Sequence, residues 1–152
     1  MNKPLEHDPA VDRYAGAREN PPVVIIGAGP VGQRVAAEFL QQSLQKPVPV
    51  FLFGDEPREL YDRVQLSGYL AGDIQSAPVT RQLDHAPRLT RFLGMQISTI
   101  DRERRVVIDS CGDACPWSRL VLATGSRASV PAIPGVDLAH VKSFHDQYER
   151  CG

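Results

Sequence analysis

The chain has 152 residues, 42% of them apolar and 23% charged, and a formal net charge of −1. That length suits one domain able to bury its own core. The balanced charge excludes a binder that neutralises nucleic-acid phosphates, because the basic residues are scattered and the densest group is only Arg102, Arg104 and Arg105. Three cysteines, Cys111, Cys115 and Cys151, are too few and too odd in number for a secreted disulfide framework. Met1 to Asp8 has no apolar stretch of signal-peptide length, and no run nears the roughly 20 apolar residues of a membrane span. A cytoplasmic location is the expectation.

Residues 1 to about 20 are polar, interrupted by Pro4, Pro9 and Gly16, and are expected to form a mobile tail. Residues 21–152 are then one domain. Pro21-Pro22 ends the tail, and Val23-Val24-Ile25-Ile26 is a β-branched run suited to a buried parallel strand. After Gly27 to Gly32 the period changes. Val31, Val35, Ala36, Phe39 and Leu40 share one helical face, and Gln33, Arg34, Glu38 and Gln41 the opposite, polar one. A loop over Ser43 to Pro47 leads to a second strand, Val48 to Phe53, with Pro49 at its start or at an unpaired position. Strand, glycine turn, helix and strand in about 30 residues make a βαβ unit. The middle is less regular: Arg58 to Ala71 includes a short helix and Gly72 to Pro78 is loop. Three strands follow, over Met95–Ile100, Arg105–Ile108 and Leu120–Ala123. Their joints are too short for helical crossovers, so an antiparallel insertion is expected before the last strand rejoins the main sheet.

Gly27-Ala28-Gly29-Pro30-Val31-Gly32 fits G-x-G-x-x-G between a strand and an amphipathic helix, the context that gives this hexapeptide its meaning. Gly27 permits the turn, Gly29 lets a pyrophosphate reach the backbone, and Gly32 lets the helix pack on the strand. Amide N–H groups and the positive end of the helix dipole then face the phosphates. The same arrangement calls for a carboxylate after the second strand to accept hydrogen bonds from the adenosine ribose. Asp55 and Glu56 both stand there, and either can serve. A carboxylate repels a 2′-phosphate, which favours FAD or NAD over NADP.

Leu120-Val-Leu-Ala-Thr-Gly-Ser126 with Pro131-Ala-Ile-Pro-Gly135 resembles the A-T-G-x-x-P-x-I-P-G signature of the FAD-dependent pyridine nucleotide-disulfide oxidoreductases. The resemblance implies FAD as cofactor and Ala123, Thr124 and Gly125 close to it; it argues against an NAD-dependent dehydrogenase. Gly54 to Ser67 is similar to the G-x-E-x-x-x-x-Y-x-R-x-x-L-S stretch of the ferredoxin or rubredoxin reductase branch and of the large subunit of NADH-dependent nitrite reductase. By that likeness Arg63 pairs with the anionic cofactor, and Leu66 with Ser67 lies against the flavin. Gly68 stands where ferredoxin reductases commonly have Lys, which favours the nitrite reductase side. Leu93 to Asp101 is similar to the family's L-G-x-x-V-x-x-I-D segment, which implies that Ile97 meets the adenine through its backbone.

The implied fold is α/β: a Rossmann-like, mostly parallel sheet with helices and a small antiparallel insertion, forming an incomplete FAD-binding domain. No second G-x-G-x-x-G follows, so the expected chain holds the FAD-binding portion of an NAD(P)H-dependent flavoprotein oxidoreductase, without the NAD-binding domain. A second chain or a C-terminal half would carry the NAD(P)H site. The alternative is a non-catalytic dinucleotide-binding or interaction module, inactive without a partner. Cys111-Gly-Asp-Ala-Cys115 reads as ordinary loop cysteines, because a zinc site needs two more ligands at suitable spacing. Trp117 is expected to pack under the hairpin, and no residue is assigned as a catalytic acid or base. The flavin would carry the chemistry.

Overall fold

The computed structural model describes residues 13–42, 47–58, 60–73, 83, 86–126, 129–139 and 141. Among them, four parallel strands form the main sheet: β1 (Val23–Ile26), β2 (Val50–Gly54), β3 (Leu89–Leu93) and β7 (Arg119–Leu122), in the order β3-β2-β1-β7. Ile26 lies opposite both Phe53 and Leu122, and Gly54 lies opposite Leu93. The carboxyl ends of all four strands therefore open on one edge of the sheet, the place where open α/β sheets take ligands. Helix α2 (Pro30–Gln42) crosses one face. Between β3 and β7 stands a three-stranded antiparallel sheet of β4 (Ile97–Asp101), β5 (Val106–Asp109) and β6 (Ala114–Pro116), as the short joints require.

The two-residue period of a strand divides the core. Val23, Ile25, Val50 and Leu52 face Ala36 and Ala37 of α2. Val24 and Phe53 point the other way, towards Met95, Val107 and Cys115 beneath the insertion. Both faces are covered, which is why β1 and the apolar stretch of β2 read as continuous apolar runs rather than alternating ones.

Several boundaries differ from the sequence reading. The polar tail is corrected over its last part: residues 1–12 lie outside the described residues, but helix α1 occupies Ala15–Glu19 and Tyr14 before it is only 2% exposed. A lone aromatic in a polar stretch carries no periodic signal, yet its burial fixes the segment. The second strand starts at Val50, and the carbonyl of Pro49 just ahead of it accepts the Val23 N–H at 2.8 Å. β3 has no counterpart in the sequence reading, since Thr90 and Arg91 dilute its pattern at the sheet's edge. β6 lies inside the stretch taken as a joint. The expected helix after Arg58 is a 3-10 turn (Arg63–Gln65) running into α3 (Leu66–Ala71), closed by Gly72 at φ 86°. Most of the loop expected over Gly72 to Pro78 lies outside the described residues.

Candidate functional site

A cleft open to solvent lies at the carboxyl edge of the sheet between the β1–α2 turn, the residues after β2 and the end of β7. The β1–α2 turn is fixed from three sides. The Gly27 N–H donates to the Phe53 carbonyl at 2.8 Å, and Gly27 adopts φ +110°, where a side chain is strained. A Cβ on Gly27 would also run into the Ala123 carbonyl oxygen, and one on Gly32 into the carbonyl oxygen of Gly27. Around a Cβ at Gly29, by contrast, there is no protein atom within 4 Å. The first two glycines of the turn thus differ: one is pressed against protein and one faces open space.

Gly29 also starts the helix. Its carbonyl accepts the Gln33 N–H at 3.0 Å, while the amides of Val31 and Gly32, in the first turn, have no carbonyl one turn back inside the helix. Val31 is exposed and lines the cleft, a correction to its place on the apolar helical face. Gln33 is corrected in the other direction. It is 7% exposed, and its amide donates to the carbonyls of Ala28 at 2.9 Å and Tyr61 at 3.2 Å. One side chain therefore ties the glycine turn to the segment that follows the acidic pair.

Asp55 and Glu56 both line the cleft. Asp55 is exposed and Glu56 is half-buried, its Oε2 accepting the Tyr61 hydroxyl at 2.7 Å. The loop is anchored from behind: Met95 N–H donates to the Gly54 carbonyl at 2.9 Å and Gly94 N–H to the Glu56 carbonyl at 3.0 Å. Gly54 is itself under the turn, since a Cβ there would stand 2.7 Å from that of Ala28.

At the far wall, Ala123 N–H donates to the Ile26 carbonyl at 2.8 Å, and Ala123, Thr124 and Gly125 line the cleft beside Gly27. Segments almost a hundred residues apart in sequence are in contact. Pro30 lines the cleft too, while Gly32 sits beneath it as packing. Arg63 and Leu66 lie in the 3-10 turn and at the start of α3, and their side chains fall outside what the structure describes. Ile97 is not brought to the cleft. It opens β4 opposite Asp109 and packs against the cluster on the other face, because the chain leaves the parallel sheet at the Gly94 turn. Leu60, Tyr61, Arg58 and Leu93 complete the lining. Of these, Tyr61 and Leu93 stand at specified positions of the quoted motifs, whereas Arg58 and Leu60 fall on variable ones and Leu60 gave no sign beyond being apolar.

Cys111 and Cys115 lie away from this edge. Cys115 is not a loop residue but a buried one on β6, its thiol pushed up to about 12 by burial and then by the Asp109 carboxylate. It is a protonated core group, not a nucleophile, at neutral pH. Trp117 packs against the same cluster, as expected.

The arrangement suits a dinucleotide. Backbone bare of side chain meets open space at Gly29, amides of a 13-residue helix point out beside it, and carboxylates stand one strand away. Comparison with known proteins agrees. The family described as pyridine nucleotide-disulphide oxidoreductase matches residues 21–151. The large subunit of nitrite reductase [NAD(P)H] from Klebsiella oxytoca is 35% identical over 120 residues, covering 78% of this chain and 12% of that protein. The ferredoxin–NAD(+) reductase component of the biphenyl dioxygenase system of Paraburkholderia xenovorans (strain LB400) is 35% identical over 129 residues, 82% of this chain and 31% of its own length. Among solved structures, the ferredoxin reductase for the CYP199A2 system from Rhodopseudomonas palustris superposes with a TM-score of 0.64 at 34% identity, over 81% of this chain and 31% of that one. The chain thus spans less than a third of the length of each of these relatives. It belongs to the pyridine nucleotide-disulphide oxidoreductase family, and its cofactor is accordingly FAD.

Proposed function

We propose that the chain is the FAD-binding portion of an NAD(P)H-dependent flavoprotein oxidoreductase. It serves the passage of reducing equivalents from a nicotinamide, by way of the flavin, to an acceptor, in the manner of a nitrite reductase large subunit. One observation carries the reading: the glycine turn, the acidic loop and the Thr124–Gly125 strand end, delivered by three different strands, meet around one cleft.

In this reading residues 21–152 are one FAD-binding domain, acting in the cytoplasm. The amides of the Gly27–Gly32 turn and the start of α2 hold the pyrophosphate, aided by the helix dipole. Asp55 or Glu56 accepts hydrogen bonds from the adenosine ribose, and Glu56 is the one already anchored, through the Tyr61 hydroxyl. Thr124 and Gly125 offer close backbone approach on the far wall, Arg63 supplies charge to the anionic cofactor, and Leu66 packs on the flavin. Bound FAD supplies hydride acceptance and onward electron release; the protein supplies binding, orientation and electrostatics.

The nicotinamide site comes from a second chain or a C-terminal half. What supports this is the set of large apolar side chains left exposed at and after β7, Leu122, Val130, Ile133 and Leu138. Among the described residues β7 also ends the strand order, with no neighbour on its outer edge.

The test is absorption of the purified chain between about 350 and 500 nm, with and without added FAD. Flavin bound at near one per chain is the expected result. A colourless protein that ignores added FAD overturns the reading. NADH oxidation by the flavin-loaded chain should be negligible until a partner is supplied, and steady turnover without one would overturn the assignment of the nicotinamide site elsewhere. Flavin binding with no turnover, even with a partner, would leave a non-catalytic binding module.

A further inference from the structure

Tyr14 lies ahead of the family match, which begins at residue 21, and nothing in the cofactor reading uses it. Its side chain is nevertheless fixed at both ends. The hydroxyl donates to Asp109 Oδ2 at 2.8 Å, and Asp109 Oδ1 accepts the N–H groups of Cys111 at 2.8 Å and Asp113 at 3.0 Å. Arg13, the neighbouring residue, donates from Nε to Asp113 Oδ2 at 3.4 Å. The start of α1 is therefore strapped to the β5–β6 turn.

The other end of Tyr14 is its ring, which meets Phe92 edge-on at 5.3 Å and lies 6.1 Å from Phe53 and 6.4 Å from Phe51. Phe53 and Phe92 in turn stack on each other at 4.7 Å, 14° from parallel. These two phenylalanines are the last side chains on their face before β2 and β3 reach the cleft. The Phe53 carbonyl holds the Gly27 N–H, and two residues beyond Phe92 the Gly94 N–H holds the Glu56 carbonyl. The Tyr14 ring thus backs the two strand ends that carry these bonds.

We propose that Tyr14 is a positioning residue of the dinucleotide site, bracing the Phe53–Phe92 stack from behind so that the Asp55–Glu56 loop meets the adenosine ribose. The inference rests on the FAD-binding reading. Removing the ring opens a hole beneath the stack, and the ends of β2 and β3 relax into it. A misplacement of about 1 Å at a site can cost an order of magnitude or more in function.

The full chain is titrated with FAD by flavin fluorescence, and bound FAD is competed with ADP and with 2′-deoxy-ADP. The wild type should prefer ADP about fivefold or more, since a carboxylate placed for the 2′-hydroxyl is left without its donor by the deoxy ligand. Tyr14→Ala should bind FAD about tenfold more weakly and lose most of that preference. Tyr14→Phe, which keeps the ring and gives up only the Asp109 bond, should retain the preference and stay within about threefold in affinity. Val48→Ala, in the cluster on the opposite face, serves as the control for lost stability alone and should keep the preference. If Tyr14→Ala does not fold, Tyr14→Leu carries the same expectation. Tyr14→Ala with wild-type preference and affinity overturns the proposal, as does a Val48→Ala that loses the preference equally. A wild type that binds no FAD overturns the FAD reading and the proposal together, a result distinct from either.

Discussion

Gly29 and Gly32 differ by three residues and should respond oppositely to the same substitution. At Gly29 an added methyl meets no protein atom within 4 Å. Two small terms act on the fold: alanine is a poorer residue than glycine ahead of a helix, by up to about 1 kcal/mol, and the stiffer unfolded chain returns about 0.4–1 kcal/mol. Gly29→Ala should therefore change stability by less than about 1 kcal/mol. The same methyl stands in the open space that a pyrophosphate has to enter, and FAD affinity should fall at least about tenfold, or about 1.4 kcal/mol. At Gly32 the methyl meets the Gly27 carbonyl oxygen well inside van der Waals contact, with Leu52 Cδ1 3.5 Å away behind it. That carbonyl belongs to a turn held by the Phe53 bond and cannot yield cheaply. Gly32→Ala should cost about 1–3 kcal/mol or more, as overpacking of a fixed site does. Urea unfolding of each variant without FAD, followed by flavin titration of whatever folds, separates the two ledgers. A Gly29→Ala protein that binds FAD like the wild type would refute the close approach at Gly29, and a Gly32→Ala protein of full stability would refute the packing role.

Three further outcomes are expected. Gln33→Leu removes the amide that serves the Ala28 and Tyr61 carbonyls, so it should cost about 1–3 kcal/mol in urea unfolding and weaken FAD as well; a variant neutral in both would show that the turn needs no such tie. Burial raises the Cys115 thiol from 9.0 to about 12 and raises the Tyr14 phenol above its ordinary 10.0. Between these limits the folded chain keeps protons that the unfolded chain gives up, so stability is complete below pH 9 and falls above it, by about 1.4 kcal/mol per unit at first and more steeply past pH 10. Cys115→Ala should delay that fall to about pH 10, and an unchanged slope between pH 9 and 10 would refute the assignment. Finally, with Cys151 replaced by Ser, an alkylating reagent at pH 8 should label half-buried Cys111 well before Cys115, and equal rates would mean that the β6 face opens readily.

What the sequence made legible was backbone chemistry. A glycine where a side chain would strike another strand, or where a turn needs positive φ, leaves its mark in the residue itself, and Gly27, Gly29 and Gly32 together with the strand before and the helix after them carried the βαβ unit and the cleft. The antiparallel insertion followed from chain length alone, because joints as short as Asp101 to Arg104 cannot cross a sheet. Of the acidic pair, the place beside the cleft was legible, and which of the two is anchored was not. It depends on Tyr61, whose hydroxyl reaches back five residues to Glu56.

The misses share one cause, a partner distant in sequence. Gln33 lies on the polar side of its helix by periodicity, yet the segment carrying Tyr61 folds over that side and turns a solvent position into a buried one whose amide is needed. Tyr14 looks like one more residue of a polar tail until Asp109, 95 positions later, accepts its hydroxyl. Ile97 stands differently: it follows a motif likeness, and the chain turns at Gly94 so that Ile97 packs on the other face, outside the lining of the cleft. In each case the local pattern is unchanged and its meaning is set by which surface the chain later lays against it. Gln33 and Tyr14 are therefore the sharper probes of this structure. A substitution at Gly27 tests a motif that the sequence already displays, whereas one at Gln33 or Tyr14 tests a contact that exists only once distant segments have folded together.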